Sequence, residues 1–124
     1  MNQPPPLRAA VIGVGHMGRH HARIYADRPD IELVAVVDAD PARAREIAEK
    51  HHTRPAADAT GLVEAVDIVS VAVPTAAHLE AARPFIQAGK AVLIEKPLAA
   101  SVDEARTIAD LAEKHRAVVQ VGHT

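Results

Sequence analysis

Three glycines, Gly13, Gly15 and Gly18, follow a short apolar run and open a helical stretch. This spacing after a strand is typical of the turn that binds phosphates in a dinucleotide-binding βαβ unit. The first glycine permits a sharp turn, the second lets the backbone approach a pyrophosphate, and the third lets helix and strand pack closely, with the helix N-terminus facing the phosphates. The alternative is a glycine-rich turn without a ligand. The predicted cofactor-binding residues of this loop are Gly13, Gly15, His16, Met17 and Gly18.

A second signal lies twenty residues past Gly18, where Asp38 closes another apolar run. A carboxylate at the end of this strand can accept hydrogen bonds from both ribose hydroxyls of an adenosine, and it would repel a 2′-phosphate. Asp38 therefore favours NAD over NADP as the cofactor. The alternative is a turn or helix-capping aspartate, a role that Asp40 before Pro41 already fits. Arg43 is close enough in sequence to keep NADP open.

Apolar runs alternate with helix signals along the chain, which predicts an α/β fold. We expect a doubly wound, mostly parallel Rossmann sheet with strand order 3-2-1-4-5-6 and a ligand over the carboxyl ends of the strands. The predicted strands are 7–12, 31–37, 53–56, 68–73, 91–94 and 118–121. The predicted helices are 17–27, 41–50, 75–88 and 101–115, with a brief helix that Asp58 or Thr60 caps and that ends near Ala65.

The composition narrows the class of protein. The 124 residues, 48% of them hydrophobic, suit one compact domain, which we place at 7–124 behind a flexible, proline-rich leader at 1–6. A formal net charge of -2 gives no basic footprint for nucleic acid, and the absence of cysteine excludes disulfides and thiol chemistry. No apolar run is long enough to span a bilayer and no signal peptide is evident, so we expect a cytoplasmic protein without membrane contact.

Other polar and apolar positions carry weaker signals. His16 and His20 are four residues apart, a spacing that can bind metal, but no third ligand is evident and we expect no metal site. Lys96 follows the fifth strand and could donate to a reacting oxygen or move a proton, although its position alone favours a solvated surface lysine. The last strand, within 117–121, is apolar and uncharged, and an exposed edge strand of this kind tends to pair with another chain. This favours a homodimer through the last strand.

A set of motifs carries a family resemblance: 13–22, Val73-Pro74-Thr75 with His78, 88–90, and Glu95-Lys96-Pro97-Leu98-Ala99. This combination resembles the Gfo/Idh/MocA family of sugar oxidoreductases over nearly the whole chain. The resemblance implies that Lys96 is a catalytic-site lysine, which touches the substrate hydroxyl and the nicotinamide ribose, with Glu95 in support. The cofactor-cleft residues that it implies are Val73, Pro74, Thr75, His78, Glu95 and Lys96.

The resemblance also implies a function for a longer protein. Family members carry a C-terminal α/β domain that supplies most of the sugar pocket, and this second domain is absent from the sequence. We therefore expect the NAD-binding domain of a sugar-type oxidoreductase. In a full-length parent it would serve hydride transfer between a sugar hydroxyl carbon and nicotinamide. Two alternatives stay open, a stand-alone NAD-binding module without turnover and a methyltransferase-like domain that binds S-adenosylmethionine.

Overall fold

The computed structural model describes residues 4–59, 61–96 and 98–122. Residues 1–3, which belong to the predicted leader, and residues 123–124 lie outside the described residues. So do Thr60, one of the two predicted caps of the brief helix, and Pro97 of the Glu-Lys-Pro motif. Of the predicted leader, residues 4–6 are exposed and have no regular secondary structure.

Six strands form one sheet: β1 Leu7–Ile12, β2 Ile31–Val37, β3 Arg54–Ala56, β4 Ile68–Val71, β5 Ala91–Glu95 and β6 Val119–Gly122. Their order is β3-β2-β1-β4-β5-β6, and every neighbouring pair is parallel. The central strand β1 therefore lies between β2 and β4. The sheet is built outward from β1 in one direction by β2 and β3, and in the other direction by β4, β5 and β6. This confirms the predicted Rossmann fold and its strand order.

The helices are α1 His16–Asp27, α2 Pro41–Lys50, α3 His78–Gln87 and α4 Val102–His115, with 3₁₀ turns at Val63–Ala65 and Thr75–Ala77. Asp40 caps α2 through the N–H groups of Ala42 and Arg43, and Ser101 caps α4 through the N–H of Glu104. By contrast, α1 begins after Gly15, which has no side chain to cap it. Among the described residues, no helix is both long and apolar enough to cross a membrane.

Some predicted boundaries differ from the structure near the carboxyl edge of the sheet. β4 ends at Val71, two residues earlier than predicted, because its partner β1 ends opposite it at Ile12; Pro74 then precedes the 3₁₀ turn Thr75–Ala77. That turn delays the start of α3 to His78. β5 continues to Glu95, which pairs with Gly122 of β6. The carboxyl edge is therefore formed by shorter β4 and longer β5 than the apolar runs predict.

Apolar layers pack on both faces of the sheet. Helices α3 and α4 cover one face, and α1 and α2 cover the other. Because successive strand residues point to opposite faces, a strand that is apolar along its length is buried on both sides. The first layer includes Val69, Val71, Phe85, Ile94 and Ile108, and the second includes Val11, Val14, Tyr25, Val36 and Ile47.

An ion pair joins β1 to the start of β4 at the opposite, amino edge of the sheet. The carboxylate of Asp67 accepts hydrogen bonds from the backbone N–H of Arg8 at 2.9 Å, from its Nε at 3.3 Å and from its Nη2 at 3.1 Å. In return, the Asp67 N–H donates to the Arg8 carbonyl at 2.7 Å. The hydrogen bonds from the Arg8 side chain and backbone lower the pKa of Asp67 from 3.8 to about 2.

We expect the free energy of unfolding to depend less on pH in the acid range in Asp67→Asn than in the unmodified protein. Because the pKa of Asp67 is depressed in the folded state, its ionised form stabilises the fold above pH 3.8, and this contribution is lost as the pH falls to about 2. The effect is small because both side chains are partly exposed. Chemical denaturation across this pH window measures it, with Asp110→Asn on α4 as the control. Parallel loss of stability in the unmodified and Asp67→Asn proteins would contradict the expectation.

Candidate functional site

A cavity of about 640 Å³ opens at the carboxyl ends of β1, β2 and β4. It lies where the chain leaves the sheet in opposite directions, which is the usual ligand position in open α/β sheets. We call this cavity the cleft. Six predicted cofactor-binding residues line it: Gly13, Gly15, Met17, Asp38, Val73 and Pro74. Its other walls include Ala39, Arg43, Ala57, Ala59 and Ala81.

Two glycines close the turn after β1 through contacts that leave no room for a side chain. Gly13 has a φ of +88°, and a Cβ added there would lie 2.8 Å from the carbonyl oxygen of Ala72. A Cβ added at Gly18 would lie only 1.6 Å from the carbonyl oxygen of Gly13. The packing of α1 against this turn therefore requires glycine at both positions.

Gly15 is different, because the protein's own packing does not require a glycine there. The nearest atom to an added Cβ is Nη1 of Arg43 at 3.8 Å, and the φ of −70° is open to any residue. The space above Gly15 belongs to the cleft. Because α1 starts here without a side-chain cap, the N–H groups of its first turn remain for an anion. The arrangement suits a phosphate group held by backbone.

Asp38 connects two backbone segments that border the cleft. It is 9% exposed, and its Oδ2 accepts a hydrogen bond from the N–H of Val14 at 3.0 Å. Its Oδ1 accepts from the N–H of Asp40 at 2.9 Å, and Nη1 of Arg43 lies 3.6 Å from Oδ2. The carboxylate thus joins the glycine turn to the start of α2. Asp38 also lines the cleft, and a carboxylate oxygen can accept more than one hydrogen bond.

His78 is buried and does not line the cleft. Its side chain is 2% exposed, with Nδ1 at 3.1 Å from the carbonyl oxygen of Leu98 and Nε2 at 2.9 Å from that of Val73. The imidazole therefore joins the loop after β4 to the loop after β5. Any effect of His78 on a ligand passes through these two loops.

The other predicted residues occupy different surroundings. His16 is exposed and lines a second groove between α1 and α2, together with His20. Thr75 is half-buried in the first 3₁₀ position after Pro74, and Lys96 is exposed directly after β5. Across 4–59, 61–96 and 98–122, no group of three or more His, Asp or Glu side chains is placed to hold a metal ion.

Beside Glu95, the structure adds three polar residues that the sequence reasoning did not assign to a site: His21, Ser70 and Tyr25. The carboxylate of Glu95 is buried and pairs with the imidazole of His21, which also lies 3.1 Å from Oγ of Ser70. The hydroxyl of Tyr25 lies 2.5 Å from the same Oγ, and burial raises the Tyr25 pKa while the Ser70 hydrogen bond opposes that rise. Two signals were available: a serine inside an apolar strand, and the spacing of His21 with Gly18 on the sheet-facing side of α1.

Comparison with known proteins places the chain among oxidoreductases. Residues 7–123 match the model of an oxidoreductase family with an NAD-binding Rossmann fold. Curated relatives include a UDP-N-acetylglucosamine 3-dehydrogenase from Acidithiobacillus ferrooxidans, 38% identical over 117 residues, and an inositol 2-dehydrogenase from Rhizobium meliloti, 32% identical over 117 residues. Each match covers 94% of this chain but 37% and 36% of the relative. The chain thus spans little more than a third of the length of these relatives.

Solved structures are similar over the same region. The UDP-N-acetylglucosamine 3-dehydrogenase from Acidithiobacillus ferrooxidans gives a TM-score of 0.89 at 37% identity, covering 95% of this chain and 38% of that one. GenD2 from gentamicin A biosynthesis, solved in complex with NAD, gives 0.85 at 35% identity, covering 98% of this chain and 36% of that one. Both similarities extend over nearly all of the chain, including the cleft.

Substitutions at Gly18 and Gly15 should have different effects on folding. We expect Gly18→Ala to destabilise the fold strongly, by about 2 kcal/mol or more, because its Cβ would collide with the Gly13 carbonyl. Gly15→Ala should leave the melting temperature nearly unchanged, since the added methyl group meets only ordinary contacts. Thermal unfolding of both variants tests the contrast. Equal destabilisation by the two substitutions would show that the space above Gly15 is not open.

Proposed function

This chain belongs to the Gfo/Idh/MocA oxidoreductase family, and we propose that it is the NAD-binding domain of an enzyme that oxidises or reduces a sugar-type alcohol. The observation that carries the proposal is the open space above Gly15, at the uncapped start of α1 and beside the carboxylate of Asp38. Backbone N–H groups that can bind phosphates and a carboxylate that can bind a ribose then border one cleft, in the arrangement that a dinucleotide needs.

Each part of the cleft takes one part of the dinucleotide in this proposal. The glycine turn and the first turn of α1, from Gly13 to Gly18, hold the pyrophosphate. Asp38 accepts hydrogen bonds from the adenosine ribose, and the loop of Val73, Pro74 and Thr75 lines the nicotinamide side. His78 supports that loop, since its Nε2 lies 2.9 Å from the carbonyl oxygen of Val73, and Glu95 supports Lys96 from the end of β5.

Lys96 is the proposed catalytic residue of the reaction. The cofactor supplies the hydride chemistry, and the protein supplies orientation and charge. Exposed at the carboxyl end of β5, Lys96 can donate a hydrogen bond to the oxygen of the reacting hydroxyl. A second group, supplied from outside this chain, then takes up the hydroxyl proton. Dehydrogenases of UDP-N-acetylglucosamine and of inositol among the relatives support a polyhydroxylated substrate class.

The choice between NAD and NADP depends on two opposite charges. Asp38 repels a 2′-phosphate, whereas the guanidinium of Arg43, at 3.6 Å from its carboxylate, attracts one. Asp38 is nearly buried and bound by two backbone N–H groups, while the Arg43 side chain is 44% exposed to solvent, which screens its charge. The fixed charge has the larger effect on specificity, and NAD is therefore the proposed cofactor. The NAD complex of a structural relative supports this choice.

We expect the chain to bind NAD about tenfold or more tightly than NADP, and not to bind S-adenosylmethionine. Asp38→Ser should narrow this ratio, because the repulsion is removed with the carboxylate. Calorimetry with the three ligands measures it, and Asp110→Ser, an exposed aspartate on α4, is the matched control. Binding of NADP as tightly as NAD by the unmodified chain would contradict the cofactor assignment. Binding of neither dinucleotide would contradict the function itself.

We also propose that the outer edge of the sheet pairs with a second copy. β6 is the last strand in the sheet order, and Val118 and Val121 are 60% and 36% exposed. Apolar, uncharged edge strands associate readily, and a two-fold axis lets the same strand meet itself.

The division into a leader at 1–6 and a domain at 7–124 stays a prediction, and the family match that begins at residue 7 supports this boundary. The cytoplasmic location also stays a prediction.

Light scattering at increasing concentration should therefore show a dimer. Val121→Lys should return the mass to that of a monomer, because a charge on an edge strand opposes pairing. Val102→Lys is the control, since Val102 is exposed on α4 and away from the strand edge. A monomeric mass for the unmodified chain at all concentrations would contradict the pairing.

A further inference from the structure

Four polar side chains form a continuous hydrogen-bonded chain that joins α1 to strands β4 and β5. Oη of Tyr25 lies 2.5 Å from Oγ of Ser70, Oγ of Ser70 lies 3.1 Å from Nδ1 of His21, and Nε2 of His21 pairs with Oε1 of Glu95. Tyr25 is 7% exposed, Ser70 is 0% exposed and Glu95 is 9% exposed. The function proposed above assigns no role to His21, Ser70 or Tyr25.

One assignment of hydrogens uses every donor in this chain. Tyr25 donates to Ser70, Ser70 donates to Nδ1 of His21, and the Nε2–H of His21 donates to the carboxylate of Glu95. Both hydroxyl hydrogens and the imidazole hydrogen then have an acceptor. The described residues contain no buried side-chain nitrogen or oxygen without a partner, in keeping with this accounting. Removal of one member would leave a neighbour unpaired in a buried place, at a cost in free energy.

The order serine, histidine, glutamate resembles a hydrolytic triad, but the geometry excludes that role. Ser70 is 0% exposed and its hydroxyl is already engaged by Tyr25, so a substrate carbonyl cannot reach it. None of the four side chains lines the cleft. The last of them, Glu95, directly precedes the exposed Lys96, so a role for the chain lies in how it holds the backbone at Glu95.

His21 connects three elements whose ends form the cleft. It lies in α1, whose first turn follows the glycine loop, and it contacts Ser70 in β4 and Glu95 at the end of β5. Lys96 comes directly after Glu95, the last residue of β5, so it extends from the peptide unit that Glu95 anchors. A Glu95 side chain held by His21 of α1 therefore limits where the chain presents Lys96.

We propose that His21 is a positioning residue that, by holding Glu95, sets the place of Lys96 relative to the phosphate-binding end of α1. The inference rests on the proposed function, because it gives the His21–Glu95 pair a purpose only if a dinucleotide occupies the cleft. It adds that the nicotinamide half of the bound dinucleotide meets Lys96 only while this imidazole holds Glu95 in place. The adenosine side of the cleft, at Asp38, is not part of this connection.

The position of Lys96 can be followed directly by NMR. The chain has four lysines, at 50, 90, 96 and 114, so protein labelled with ¹⁵N only at lysine gives four assignable amide signals. NAD should shift the Lys96 signal, and ADP, which lacks the nicotinamide half, should not. In His21→Phe and Glu95→Gln this NAD-induced shift should be lost, while calorimetry still shows ADP binding as in the unmodified chain. His21→Gln, which keeps an N–H for Glu95, should restore the shift in part.

The matched control is His20→Phe, because His20 is the exposed neighbour of His21 on α1. It should leave the Lys96 shift intact. The inference is overturned if NAD shifts Lys96 equally in His21→Phe, Glu95→Gln and the unmodified chain. It is also overturned if both variants lose NAD and ADP binding together, because the pair would then serve only the fold. Failure of the unmodified chain to bind NAD at all would instead overturn the proposed function, and this inference with it.

Discussion

The contact between Gly18 and the carbonyl oxygen of Gly13 determines where the cleft can be. No side chain fits between them, since an added Cβ would come within 1.6 Å of that oxygen. The start of α1 is thereby held against the end of β1, and Gly15, between the two, is left at the surface of the cleft. A methyl group at Gly18 would displace the start of α1 from this position. In the proposed function, binding of the phosphates at α1 and of the ribose at Asp38 therefore depends on this one contact.

Asp38 stabilises the same region through the charge of its carboxylate. A carboxylate that is 9% exposed loses much of its hydration, and the N–H groups of Val14 and Asp40 replace it with charge-assisted hydrogen bonds. The same bonds join the glycine turn to the start of α2, so the acid is held in place before a ligand arrives. Preorganisation of this kind lowers the cost of binding, because no flexible side chain has to be ordered.

Local signals predicted most of the fold. The bounds of β1 and β2 and the caps Asp40 and Ser101 follow from apolar runs and from residues within a few positions. The glycine spacing predicted the cleft for the same reason. The partner of Glu95 could not be predicted so, because His21 is 74 residues away and meets it only across the folded sheet. Burial of His78 between two carbonyl groups also depends on tertiary contacts, and a sequence pattern contains no information on them.

The polar chain between α1 and the sheet can be traced to the burial of one hydroxyl group. The sequence contains a single tyrosine, and α1 buries it against the sheet, where its hydroxyl requires a partner. Ser70 supplies that partner inside an otherwise apolar strand, at the cost of a second buried hydroxyl. His21 satisfies Ser70 and then needs an acceptor of its own, which Glu95 provides at the end of β5. Satisfying one aromatic hydroxyl in the middle of α1 thus leads, bond by bond, to the residue that precedes Lys96.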